Sequence, residues 1–216
     1  MASQEMTRPV HRQRGWLVAL GMLLVATGGS ERAAGKVNAL PGGNAPSRIV
    51  LTQAKAGEQP LLVEGQVLRP DGKTPAAGIV LYVYQTDTTG RYSARPGDPP
   101  RLRGWVRTDT AGRYAYRTIR PGPYPGHRTP AHVHVQLWGD GAPPQWGTTL
   151  EFADDALLGR TERQESTALG RFAFVCVPRL DAQKVQHCRH DLRIKSTEDR
   201  FEPNTRHGFT VSGRPR

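Results

Sequence analysis

The chain has 216 residues, 37% of them hydrophobic, with 24 glycines, 18 prolines and a formal net charge of +11. That length suits one domain with extensions, and the glycine and proline content argues against a fold of long helices. A basic surface attracts anions, but the arginines are scattered and no Lys/Arg block or nucleic-acid motif stands out, so nucleic-acid binding is set aside.

At the N-terminus, His11, Arg12 and Arg14 precede the apolar run WLVALGMLLVATGG, residues 16–29. A basic stretch, a short apolar core and small residues after it are the parts of a secretory signal. The run is too short for a comfortable membrane span, although an uncleaved segment would act as an anchor. The expectation is a protein exported to the periplasm or beyond, with no stable membrane association once residues 1–29 are removed. Export bears on the two cysteines, Cys176 and Cys188. In an oxidising compartment they are expected to pair. The alternative is a metal cluster with His187 and His190, whose spacing fits no familiar zinc pattern.

Residues 30–59, rich in Gly, Ala and Pro, read as a linker. The folded domain is expected over 60–196, with a polar tail over 197–216. LLVEGQVL (61–68) alternates as a strand should, RPDGKTPAAG supplies a turn, and GIVLYVYQT (78–86) is rich in β-branched and aromatic residues. TDTTGRY (86–92) recurs as TDTAGRY (108–114), each copy placing Asp and Gly in a turn that Arg-Tyr leaves. The stretch between, SARPGDPPRLRGW, reads as loop. RYAYRTI (113–119) reads as a strand, RPGPYPGHRTP as a rigid turn, AHVHVQL (131–137) as a strand and GDGAPPQWG (139–147) as another loop. TLEFADDALLG is a strand end with a short polar or helical piece, and GRFAFVCVPRL (170–180) and HDLRIKS (190–196) supply the last strands. Short strands between turn-rich segments give an all-β class, a β-sandwich with long Pro/Gly-rich loops.

His132 and His134 sit two apart in the AHVHVQL run, so both imidazoles project from one strand face. Eight residues upstream Tyr124 lies in PGPYP. Two imidazoles and a phenol brought together this way suit a transition metal, iron among them. The plainer reading makes the histidines ordinary polar strand residues.

VYQTDTTGRY, RGWVRTDTAGRYAYRTIRPGPYPG and PAHVHVQLW, in that order, resemble the intradiol ring-cleavage dioxygenases, a family that includes protocatechuate 3,4-dioxygenase and catechol 1,2-dioxygenase. The likeness covers about residues 60–196 and is dense over 78–138. It implies a β-sandwich holding non-haem Fe(III) through Tyr92, Tyr124, His132 and His134. It implies cleavage of a small aromatic diol, with O2, between the two hydroxylated carbons to a muconate-type diacid. Iron would act as Lewis acid and template, and Tyr124 would accept a substrate proton. Tyr114 and Tyr116 are expected to pack in their strand. Many enzymes of this class are dimers or larger, which leaves a homo-oligomer open.

Two positions depart from the family pattern. Thr129 stands where an arginine commonly precedes the first histidine, with Arg128 one residue back, and Thr149 stands where a glutamine is common. Arg128 and Thr149 are therefore the candidate substrate contacts, and Arg128 is with Tyr124 a catalytic candidate, since the family's arginine stabilises charge on the bound substrate. Two other classes remain beside the enzyme. One is a non-enzymatic transthyretin-like or carboxypeptidase-regulatory-like binding module, which VEGQVLRPDGKTPAAGIVLYVY also resembles. The other is an iron-binding relative without turnover.

Overall fold

The computed structural model describes residues 42–196 and 199, which fold as two stacked β-sheets with one short α-helix. The predicted signal segment and nearly all of the C-terminal tail lie outside the described residues. The first sheet contains β1 (Arg48–Val50), β2 (Pro60–Leu68), β5 (Arg113–Ile119), β10 (Arg179–Leu180), β11 (Gln186–Arg189) and β12 (Leu192–Arg193). The second contains β3 (Val80–Gln85), β4 (Leu102–Arg107), β6 (His132–Gly139), β7 (Ala142–Trp146), β8 (Leu150–Phe152) and β9 (Val175–Cys176). The first runs β1-β5-β2-β11-β10 with β12 also on β2. The second runs β4-β3-β6-β8-β9 with β7 also on β6.

The main core fills the space between the sheets. Leu61, Val63 and Val67 of β2 and Tyr114 and Tyr116 of β5 meet Leu81 and Val83 of β3 and Val133, Val135 and Leu137 of β6. Each fully buried Val or Leu contributes about 1.5–3 kcal/mol, so this set carries the domain. The second sheet is covered on its far face as well. Val80, Tyr82, Tyr84 and Trp138 form a separate buried layer there, with Tyr92, Trp105 and Trp146 packed against it. Burial on both faces explains why VLYVYQ shows no polar alternation: all six residues of β3 are buried. It also means that His132, His134 and Gln136 project into a covered layer and not into bulk water.

Four segments differ from the reading of the sequence. The expected linker contributes β1, paired in parallel with β5 from Arg48↔Ala115 to Val50↔Arg117. Three residues are too few to show a period. Part of the expected loop 93–105 belongs to β4, which pairs with β3 over six positions and ends the sheet. Its period is masked by Gly104, where any side chain would meet Leu51 and Ile49. The expected loop 139–147 contains β7, which tolerates Pro143 and Pro144 because both are exposed at the sheet margin. Near the C-terminus the two expected strands are four short ones, β9 to β12. An unforeseen helix, α1 (Arg160–Ala168), precedes them and receives β9 through Val175 N–H donating to Ser166 Oγ (2.8 Å).

Cys176 of β9 and Cys188 of β11 are joined by a disulfide, which ties one sheet to the other. The Cys/His metal cluster weighed as its alternative is thereby removed.

Candidate metal centre

The repeated TDTxGRY segments fold into the same turn. In the first, Asp87 Oδ1 accepts from the N–H groups of Thr89 (2.9 Å) and Arg91 (3.1 Å). In the second, Asp109 Oδ1 accepts from Ala111 (2.9 Å) and Arg113 (2.8 Å). The glycines sit at φ +78° (Gly90) and +70° (Gly112), where a side chain is strained. Burial works against the Asp87 carboxylate, but the hydrogen bonds from Thr89, Arg91 and Arg101 outweigh it and hold its pKa below the usual range.

The two copies deliver their tyrosines to different places. Tyr114 points into the main core and donates to the His190 carbonyl (2.6 Å). Tyr92 goes to the far face of the second sheet, because the first turn is clamped to the PGPYP segment. The Gly122 N–H donates to the Asp87 carbonyl (2.8 Å), and Thr86 Oγ1 donates to the Gly122 carbonyl (2.8 Å). Gly90 lies so close to Pro123 that an added Cβ would stand 1.9 Å from the Pro123 carbonyl oxygen. That close approach sets the Tyr92 hydroxyl in hydrogen bond with the Tyr124 hydroxyl.

Four donor atoms then converge. Tyr124 Oη lies 2.9 Å from His132 Nε2 and 3.3 Å from His134 Nε2, and the two Nε2 atoms are 3.0 Å apart. His132 Nδ1–H donates to the Pro130 carbonyl (2.6 Å), which fixes the tautomer and turns the Nε2 lone pair toward the cluster. Ligands at about 2.0–2.1 Å from a first-row ion, roughly 90–110° apart, stand about 2.9–3.4 Å from one another. The distances to Tyr124 and between the imidazoles fall in or close to that range, so the residues fit such an ion. Burial pushes the Tyr92 and Tyr124 phenols up and the His132 imidazole down. Two phenols held this way ionise only beside a cation, and as phenolates they are hard donors that favour a ferric one. Among the described residues no cluster of three or more His, Cys, Asp or Glu side chains is suited to a metal, so the tyrosines are needed to complete this set.

The walls come from both neighbouring strands. His134 stands opposite Tyr84 of β3, whose ring stacks on it at 4.7 Å, and Trp146 meets it edge-on at 6.0 Å. His132 stands opposite Glu151 of β8. Burial, and then the Glu162 and Asp155 carboxylates, raise the Glu151 carboxyl to about 7. Arg128 is exposed on the loop beyond Tyr124, and Thr149 is half-buried one residue before β8. Tyr84 and Glu151 were not legible as site residues, because strand register places them there and no motif does.

The family model Dioxygenase_C, described as "Dioxygenase", matches residues 44–195. The chain belongs to the intradiol ring-cleavage dioxygenase family. It is 33% identical over 132 residues to the protocatechuate 3,4-dioxygenase beta chain of Burkholderia cepacia, covering 52% of this chain and 56% of that one. It is 34% identical over 137 residues to chlorocatechol 1,2-dioxygenase of Pseudomonas sp. (strain P51), covering 55% and 54%. This family member thus spans about half the length of these curated relatives. A solved dioxygenase domain, from a dioxygenase carbohydrate-binding protein fusion of Streptomyces sp. SirexAA-E, superposes with a TM-score of 0.53 at 28% identity, covering 71% of this chain and 90% of that one.

Proposed function

We propose that this family member is an exported, non-haem Fe(III) intradiol dioxygenase that cleaves a catecholic ring between its hydroxylated carbons, with O2, to a muconate-type diacid. The observation that carries the reading is the convergence of Tyr92, Tyr124, His132 and His134 on one point. These four would hold the iron, which supplies Lewis acidity and a template for catechol and O2.

The chain's own part is to hold, shield and move a proton. Tyr124 Oη touches the other three ligand side chains and is the atom assigned to accept a proton from a catechol hydroxyl. Burial makes its phenolate a strong base, which favours that transfer. Tyr84 and Trp146 keep water from the His134 flank. Arg128 and Thr149 are assigned to the substrate side, where Arg128 must fold in from the surface. The Cys176–Cys188 disulfide supports an oxidising destination.

The test is the visible spectrum of the purified protein with metal analysis, before and after catechol. A broad phenolate-to-iron band that shifts to longer wavelength with catechol is expected. A colourless protein that stays iron-free after ferric reconstitution overturns the reading in favour of a binding module. Thr129 and Thr149 favour one second reading, an iron-binding relative without turnover. It predicts the same colour and no oxygen uptake.

A further inference from the structure

β6 runs between β3 and β8, and its two histidines have different neighbours. His134 faces the Tyr84 ring, whereas His132 faces Glu151 through the pairs His132↔Glu151 and Val133↔Leu150. Leu150 and Phe152 are fully buried in the main core, so Glu151 between them projects from the other face, the one that carries His132 and His134. Directly paired residues on one face hold their Cβ atoms about 5 Å apart. The Glu151 side chain therefore leaves the sheet next to that of His132, on the face of the candidate metal cluster.

Glu151 Oε2 is buried and makes no hydrogen bond among the described residues. Two arginines that reach the segment after β8 are engaged there with other partners. Arg163 donates to the carbonyls of Ala153 (2.8 Å) and Leu158 (3.4 Å), and Arg120 pairs with Asp154 (2.7 Å). The charged groups that act most on Glu151 are carboxylates, Glu162 and Asp155. Asp155 also accepts from the Ala131 N–H (2.8 Å), which holds it next to His132. The β8 flank is thus locally acidic in a chain of net charge +11. Local charge decides what binds, because exposed charges beyond about 10 Å are screened by salt.

We propose that Glu151 is the residue that selects the substrate, favouring catechols whose ring carries a cationic or neutral hydrogen-bond-donating substituent over carboxylated ones. A donor on the ring satisfies the buried carboxylate oxygen, whereas a ring carboxylate turned toward β8 meets like charge. The inference rests on the catechol reading of the metal centre.

The experiment titrates the iron-loaded full chain with catechol, an aminoethyl catechol and protocatechuate, following the shift of the visible band at one fixed pH. In the unmodified protein the aminoethyl catechol should bind more tightly than protocatechuate. Glu151→Gln should shrink that ratio by about tenfold or more, and Glu151→Asp, which keeps the charge, should preserve most of it. Coloured complexes whose ratio is the same in Glu151→Gln overturn the proposal and leave the metal centre standing. An iron-loaded protein whose band responds to none of the three overturns the catechol reading, and the proposal with it.

Discussion

Tyr84 and His134 stand directly opposite each other on β3 and β6 and stack with ring centroids 4.7 Å apart and planes 22° from parallel. A metal ligand keeps its direction only if its ring cannot turn, and this stack restrains His134 as the Pro130 carbonyl restrains His132. Tyr84→Ala removes a fully buried ring. It should cost about 3–5 kcal/mol in urea denaturation and weaken iron retention at the same time. Tyr84→Phe keeps the ring and should retain iron at the original stoichiometry. If Tyr84→Ala holds iron as firmly as the parent, the restraint lies elsewhere.

The twin turns allow a matched pair of substitutions. Gly90→Ala would drive a Cβ to 1.9 Å from the Pro123 carbonyl oxygen, separating the turn that carries Tyr92 from the turn that carries Tyr124. Iron affinity should fall about 10–100-fold, as for loss of a supporting contact to a ligand. Gly112→Ala meets the Val67 carbonyl oxygen at 2.6 Å, at the same kind of positive φ, but its tyrosine lies in the main core. It should lower stability by about 1–3 kcal/mol and leave the affinity of the folded protein unchanged. Competition against a chelator separates the two. Equal losses of affinity would mean that the Gly90 clamp is not specific to the site.

The same pair shows what a sequence can and cannot disclose. Asp-x-x-Gly-Arg-Tyr states its turn plainly, because the carboxylate accepts from the backbone two and four residues on and only glycine is easy at positive φ. His-x-His states its shared face through the period of a strand. Nothing local says that one Arg-Tyr leads to the candidate metal cluster and the other to the core. Only the family resemblance separated Tyr92 from Tyr114. Tyr84 and Glu151 stayed hidden for a related reason, since each reaches the site through the register of strands far apart in the chain. The short strands β1, β4 and β7 were lost because three residues, a glycine or two prolines interrupt the alternation on which strand reading depends.

The disulfide should act on stability and leave the candidate metal centre intact. It closes a 12-residue separation and joins β9 to β11, away from the four converging side chains. Loop-closure entropy for that span gives about 3 kcal/mol. Cys176→Ser with Cys188→Ser should lower the urea midpoint accordingly while the iron band and its response to catechol persist. A loss of the band in folded double mutant would show that the staple also positions β8, which pairs with β9.

His190 supplies a pH dependence whose sign can be worked out. It is fully buried, its Nε2 lies 3.1 Å from Thr148 Oγ1, and its Nδ1 has no hydrogen-bond partner among the described residues. Burial pushes its pKa down to about 4 from 6.5, with the Asp191 carboxylate opposing. Between those values the unfolded chain binds a proton that the folded one does not, so stability rises with pH across this window and is lost as pH falls through it. The full span corresponds to about 3 kcal/mol. Glu151 works in the opposite direction, because its raised pKa makes the folded state bind the extra proton as pH falls from about 7 toward 4.5. Metal-free protein should therefore lose stability between pH 6.5 and 4 less steeply than His190 alone dictates. Glu151→Gln should steepen that loss, and His190→Leu should flatten it. Urea unfolding at several pH values reads both slopes, and an unchanged slope in His190→Leu would mean that this imidazole is solvated and titrates normally in the folded chain.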